Sequence, residues 1–447
     1  AYKYQGVAVV QLPVDLGYQN IPKQQIYSTA KNYRPTPHPT LNESDIDQAV
    51  AMLKKAKRPL IYAGIGTRGA EAEVRRFAEK IKAPIITTGI AIDVIPNATP
   101  YWLGSVNRVG MKASNEAIAQ ADTVLFVGNN YPFAEVTNIF KHIQQFIQID
   151  IDASHLGKRH LADVAILGDA KEAILALTEK VEDVPETPWW KANIENNQNW
   201  QEYLHHLEEK TEGEIELYQV YRGIRSIMEE DAILSVDVGD VTQTSVRHLH
   251  LNGKQKWRTS ALFATMGVGV PGAIAAKLDF PSKQVLSLSG DGAFNMVMQD
   301  LKTQVQYRLP IINVVFSNRQ FGFIKDEQEE TNSGYIGVQF EDIDYAMVGV
   351  AMGATSFKIT DASDVEEVFQ KAREAQLNGE TVLIDAKIKQ DRPIPTESLV
   401  LDDVKFTPYE VAKFKTRYKA KNLHPFRYFL EKNGLSYEDR ITELGGF

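Results

Sequence analysis

Short runs of four to eight apolar residues recur along this chain, separated by segments whose apolar positions return every three or four residues. The runs PLIYAG (59–64), APIITTG (83–89), DTVLFVG (122–128) and FIQIDID (146–152) predict buried strands, and AEAEVRRFAEKI (70–81) predicts an amphipathic helix. Strands alternating with helices from 59 to about 178 predict an α/β domain built on a doubly wound parallel sheet. Beyond residue 230 the alternation resumes with AILSVDVG (232–239), VLSLSG (285–290), INVVFSN (312–318) and TVLIDAKI (381–388), and a helix is predicted over 293–307. The fold class expected is therefore α/β, with two doubly wound parallel-sheet domains.

The ends and joints follow other patterns. GVAVVQLPVDL (6–16) is a nearly continuous apolar run, the signature of a strand buried on both faces. Nothing close downstream can flank it, so residues 1–27 are expected to be the remnant of a domain whose earlier strands precede residue 1. Residues 28–40, rich in proline and polar residues, predict a linker, with Asn42 capping a helix that opens the first α/β domain at 41–180. A second linker is expected at 181–195, where Trp189 and Trp190 would pack it onto a domain. The second α/β domain is placed at 196–390, and a tail with short amphipathic helices at 391–447.

Composition narrows the function. A formal net charge of -9 over 447 residues offers no basic field for nucleic acid. The absence of cysteine removes disulfides, thiolate metal sites and a thiol nucleophile. No secretory leader or long apolar span is evident, so a cytoplasmic protein without a membrane segment is expected.

The chemistry concentrates at LSLSGDGAFNMVMQD (286–300). Gly290, Asp291 and Gly292 stand where a strand gives way to a helix, the place at which parallel sheets bind ligands. The helix start and the glycines favour a phosphate, whereas Asp291 would repel one. A divalent cation between the two removes the conflict, and Asn318, at the end of the next strand, would reach the same sheet edge. This spacing of GDG and asparagine resembles the thiamine diphosphate enzymes. The resemblance implies magnesium held by Asp291, Asn318 and the main-chain oxygen of Gln320, with Gly290 and Gly292 beside the diphosphate. It also implies that Met266, in FATMGVGVPGAIAAK (263–277), wedges the cofactor into a bent shape. Gly239, Asp240 and Thr242 of DVGDVTQTS (237–245) are similar to diphosphate contacts, and Phe323, Ile324 and Glu327 to substrate-facing catalytic positions.

In the first α/β domain, Gly64, Gly66 and Gly69 follow a G-x-G-x-x-G order, but APIITTG supplies no acid for a ribose at the end of the following strand, which argues against ordinary NAD binding. The domain is similar to the middle domain of flavin-containing members of the same family. That likeness implies FAD contacts from Gly64, Gly66, Thr67, Arg68, Arg108, Asn129, Asp150 and Asp169. His248 and His250 alternate on an expected strand; a structural role is favoured over a metal site.

The branch that the chain resembles oxidises pyruvate with phosphate and O2, giving acetyl phosphate, CO2 and hydrogen peroxide, and its members form homotetramers. The activating glutamate of that family belongs to an N-terminal pyrimidine-binding domain, which would precede residue 1. Alternatives are an acetolactate synthase-like carboligase, a quinone-linked pyruvate dehydrogenase, for which the acidic tail LSYEDRITELGGF is a poor membrane anchor, and a non-catalytic nucleotide-binding or assembly module.

Overall fold

The structure is a computed structural model that describes residues 9–22, 39–132, 139–140, 143–331, 335–390 and 393. The expected tail helices beyond 393 and most of the 28–40 linker lie outside the described residues. The chain divides between Thr40 and Leu41.

The described part of the N-terminal run is not a strand. Val14–Tyr18 is a 3-10 helix flanked by irregular chain, and Val9, Val10, Leu12 and Val14 are all at least 71% exposed. The expectation rested on burial of both faces, and a strand needs a neighbour to pair its N–H and C=O groups. Residues 9–22 pair with none.

The described residues of 41–390 carry twelve strands in two six-stranded parallel sheets. The first comprises β1 (Pro59–Ala63), β2 (Ile85–Thr87), β3 (Trp102–Ser105), β4 (Thr123–Val127), β5 (Gln145–Asp150) and β6 (Val164–Leu167), in the order β3-β2-β1-β4-β5-β6. The second comprises β7 (Ile233–Val236), β8 (Lys256–Arg258), β9 (Val285–Gly290), β10 (Ile311–Ser317), β11 (Thr355–Ile359) and β12 (Val382–Lys387), in the order β11-β12-β10-β9-β7-β8. The two folds are thus doubly wound α/β, as expected. Every residue of β1, β4 and β10 is buried, which is why those strands read as unbroken apolar runs.

Each sheet has one place where successive crossovers leave in opposite directions: between β1 and β4 in the first, between β7 and β9 in the second. Loops diverge there at the carboxyl ends of the strands and open a crevice. Gly64 and Gly128 stand at the first crevice, Asp237 and Gly290 at the second.

Two local differences from the sequence reading have clear causes. The helix expected over 293–307 is two helices, Asp291–Val297 and Asp300–Gln306. Between them Leu301 N donates to Met298 O and Lys302 N to Gln299 O, a turn tightened to three-residue hydrogen bonding. The segment expected as linker enters a 21-residue helix at Pro188, with the Thr187 side chain accepting from Trp190 N. Trp189 Nε1 donates to Pro59 O at 3.0 Å and Trp190 stacks on Tyr101 at 4.9 Å, so this helix is fastened to the first sheet's layer. On its inner face Asn196 bridges the fully buried ion pair of Lys112 and Glu116.

The two sheet layers meet through polar contacts near both crevices. Buried Asp93 accepts from Arg68 Nη2 at 2.8 Å and from Arg258 Nη1, beside β8, at 2.6 Å. Arg247 Nε donates to Gly110 O at 3.0 Å, and Tyr131 Oη to Ala261 O at 3.1 Å.

Candidate active site

The second crevice opens into a cavity of about 300 Å³. Its floor is the turn from β9 into the helix Asp291–Val297. Gly290 has open space where a Cβ would stand, whereas a Cβ on Gly292 would lie 2.4 Å from the Phe321 ring. Asp291 is only 1% exposed. Its Oδ1 accepts from Gly292 N at 2.8 Å and its Oδ2 from Arg319 N at 2.6 Å. The second bond comes from the loop after β10, where Arg319 adopts a left-handed φ of 59°. One carboxylate therefore ties together the ends of two adjacent strands.

Asn318 and Gln320 follow on that loop and line the cavity with Asp291. Asn318 Oδ1 accepts from Gln320 N at 3.2 Å, and Gln390 Nε2 donates to Asn318 O at 2.8 Å. Burial pushes the Asp291 carboxyl up to about 6, against the opposing hydrogen bonds. A carboxylate disfavoured by burial, with amide and carbonyl oxygens beside it, is a donor set that a hard dication fits. Among the described residues no three His, Asp or Glu side chains gather as a metal site, so a cation here would draw on this mixed oxygen set.

Around this floor the structure brings together most of the positions singled out in the sequence. Gly239 and Asp240, at the start of the helix Asp240–His248, form one wall. Gly322 packs against this wall: a Cβ there would come within 1.9 Å of Asp240 Oδ2 and displace that carboxylate. Met266 also lines the cavity, and Phe323, Ile324 and Glu327 line it from the helix Gly322–Thr331. Thr242 does not line the cavity: its hydroxyl donates to Asp237 O at 2.6 Å and accepts from Gly239 N at 3.2 Å, shaping the loop from behind. The sequence reading passed over Asp237, a fully buried acid just after β7 whose signal was its place between a strand and a glycine turn.

The positions of the first crevice divide in two. Gly64 and Gly66 are used in packing: Cβ atoms there would lie 2.2 Å from Gly128 O and 2.7 Å from Gly128 Cα. The turn Ile65–Thr67 is 3-10, with the Thr67 hydroxyl donating to Gly64 O at 2.6 Å. Arg68 is engaged by Asp93, and Asp169 caps the helix Ala170–Lys180 by accepting from Lys171 N and Glu172 N. Asp150 accepts from Asp152 N at 2.9 Å and lies 3.1 Å from His155 Nδ1. Asn129 and Thr88 differ: each is buried at the strand ends, and Asn129 Nδ2 and Thr88 Oγ1 have no partner among the described residues. Unmatched buried groups of this kind suit a polar ligand across the crevice.

Arg108 links the layer of the first sheet to the second cavity. Reaching from the loop after β3, its Nη1 lies 3.0 Å from Glu327 Oε1, and its guanidinium sits 4.3 Å from the centre of the Phe323 ring.

With this geometry in view, the comparisons with known proteins are informative. Residues 46–177 match the central domain of thiamine pyrophosphate enzymes, and residues 237–386 match their C-terminal TPP-binding domain. The chain is 48% identical over its whole length to a pyruvate oxidase of Lactiplantibacillus plantarum, covering 74% of that protein. The chain belongs to the thiamine pyrophosphate enzyme family. It is also 32% identical, over 94% of its length and 71% of the relative, to the Bacillus subtilis protein YdaP, whose name describes it as thiamine pyrophosphate-containing. An acetolactate synthase large subunit of Buchnera aphidicola is 28% identical over 86% of the chain and 68% of its own length. Membership makes this a thiamine diphosphate-dependent enzyme in which the second sheet carries the cofactor-binding domain. No described helix is long and apolar enough to cross a membrane.

The two histidines lie elsewhere. His248 ends the helix Asp240–His248 and His250 follows with a left-handed φ of 54°, so neither is on a strand. The alternation around them runs across the end of that helix, because Leu249 and Leu251 are buried in the turn that leaves it. His248 Nδ1 lies 2.7 Å from Glu208 Oε1, and Glu208 also pairs with Arg225. Burial works against the Glu208 charge, but the hydrogen bonds from His248 and Arg225 outweigh it and hold the carboxyl down at about 2.

Proposed function

We propose that the chain is the flavin-dependent, phosphate-using pyruvate oxidase of its family, turning pyruvate, phosphate and O2 into acetyl phosphate, CO2 and hydrogen peroxide. The observation that supports this reading is the Arg108 contact: a side chain from the loop after β3, in the layer of the first sheet, meets Glu327 and Phe323 at the cavity of the second. Electron transfer between two cofactors requires such adjacency. The 48% identity to a pyruvate oxidase supports it.

On this reading Asp291, Asn318 and the Gln320 main-chain oxygen hold Mg2+, while the open space at Gly290 leaves room for a diphosphate at the helix start and Gly292 gives way to the Phe321 ring. Gly239 and Asp240 flank the diphosphate. Met266 supports the bend of the cofactor, and Phe323 and Ile324 keep water from the reacting carbon. Glu327 and Arg108 orient pyruvate and phosphate between the two sites. The flavin would lie across Gly64, Gly66 and Asn129, where Asn129 Nδ2 and Thr88 Oγ1, unpaired among the described residues, supply hydrogen-bonding groups. When bound, thiamine diphosphate supplies an electron sink for decarboxylation and FAD a two-electron acceptor.

The test is spectroscopic. Pyruvate added without oxygen to full-length, flavin-loaded protein should bleach the flavin absorbance, and air should restore it with hydrogen peroxide formed. Absence of bleaching refutes the oxidase. The likeness to acetolactate synthase favours a second reading, which predicts acetolactate from pyruvate with no oxygen consumed.

A further inference from the structure

We propose that Asp237 is a positioning residue that sets the place of Met266; this rests on the reading of the second cavity as the thiamine diphosphate site. Asp237 leaves β7 fully buried. Its Oδ1 accepts from Val238 N at 2.9 Å and Gly267 N at 2.8 Å, and its Oδ2 from Gly269 N at 3.1 Å and Ser289 Oγ at 3.1 Å. The amides one and three residues beyond Met266 thus converge on a single carboxylate. Ser289 is the residue before Gly290, so the same group ties the Met266 loop to the strand that leads into Asp291.

That end of the loop runs into the helix Gly269–Asp279, whose Val270 and Ala273 are buried, so Asp237 fastens the short turn between Met266 and this helix. Leu262 and Phe263 are 66% and 90% exposed, and Ala264 and Gly267 take left-handed φ values of 54° and 87°. Its other fastenings lie on the far side of Met266, where Ser260 accepts from Ala264 N and Thr265 N, and Tyr131 Oη reaches Ala261 O. The contacts around Asp237 are all donors aimed at it, an arrangement that only an acceptor with two oxygens can satisfy. An amide of the same shape would turn an NH2 group toward donors and release at least one of the glycine N–H groups.

Asp237→Asn tests the idea in two ways. In cofactor-free protein, amide hydrogen exchange at Gly267 and Gly269 should quicken by about tenfold or more, while β9 and β10 keep their protection. In the loaded full-length enzyme, kcat should fall by about a hundredfold, the penalty of a misplaced supporting group, with thiamine diphosphate affinity changed far less. Because Asp237 is argued to act through Met266, the double variant Asp237→Asn/Met266→Ala should be no slower than Met266→Ala alone. Unchanged glycine exchange, additive losses, or loss of cofactor affinity in parallel with kcat would each overturn the proposal. Should Asp237→Asn fail to fold, Gly269→Ala gives the same test, since its Cβ would lie 2.4 Å from Ser289 Oγ and 2.9 Å from Asp237 Oδ2 and push the loop off the carboxylate. A wild-type protein that bound no thiamine diphosphate would sink the functional reading instead, and the exchange measurement, which needs no cofactor, would still decide the tether.

Discussion

Replacing Asp291 by Asn separates the cost of burying this carboxylate from its use. Burial raises its carboxyl from an ordinary value near 3.8 to about 6, and at about 1.4 kcal/mol per tenfold change this corresponds to roughly 3 kcal/mol against the charged form. Since the folded-state value is the higher one, the stability carried by the neutral acid is complete below about pH 4 and is lost as pH rises through about 6. Half of that loss, about 1.5 kcal/mol, falls between pH 5 and pH 8. The asparagine variant has no such titration. Its single oxygen can keep only one of the hydrogen bonds from Gly292 N and Arg319 N, at a cost of about 1–2 kcal/mol at any pH. Urea denaturation of metal-free protein should therefore find the variant less stable than wild type at pH 5 and close to it at pH 8. In the same samples, Mg2+ with thiamine diphosphate should raise the wild-type Tm and leave the variant's unchanged. A difference that does not vary with pH would refute the burial argument. A variant stabilised by Mg2+ and cofactor like the wild type would refute Asp291 as a ligand.

Two further substitutions test the frame around the sites. Gly64→Ala would force a Cβ to 2.2 Å from Gly128 O and 2.6 Å from Asn129 Cα, so thermal unfolding should show a loss of about 1–3 kcal/mol, with flavin retained poorly on gel filtration. Glu208→Gln leaves Arg225 and His248 without their carboxylate and should cost about 3–5 kcal/mol. Because the Glu208 carboxyl is held down at about 2, its contribution is present above the ordinary carboxylate range and disappears only as pH falls toward that value. The deficit of the variant should thus stay constant from pH 7 to pH 9 in denaturant titrations, a range above that in which His248, whose own pKa burial lowers, takes up a proton.

Much of this molecule is legible in local pattern. Strands buried on both faces, such as β1, β4 and β10, announce themselves as apolar runs because every residue in them meets a hydrophobic layer. A glycine-flanked acid between a strand and a helix marks the cavity floor, and the interval to Asn318 is the length of one strand-helix-strand unit. These features depend on neighbours in the chain or on one crossover, so spacing alone records them. The edge strands β3, β6, β8 and β11 have five residues at most, and the pattern alone did not single them out. Residues 6–16 show the converse, an apolar run whose described part has no strand to pair with.

Partnerships across long separations left no such trace. That Asp237 would collect Gly267, Gly269 and Ser289 is an outcome of bringing β7, β9 and the loop between them together in one sheet layer, and that Arg108 would meet Glu327 is an outcome of packing the two layers against each other. A carboxylate in the sequence states only that it accepts hydrogen bonds or charge. Which donors reach it is set by the path of the chain in space, because burial makes every unmatched polar group costly and so forces partners together from distant segments.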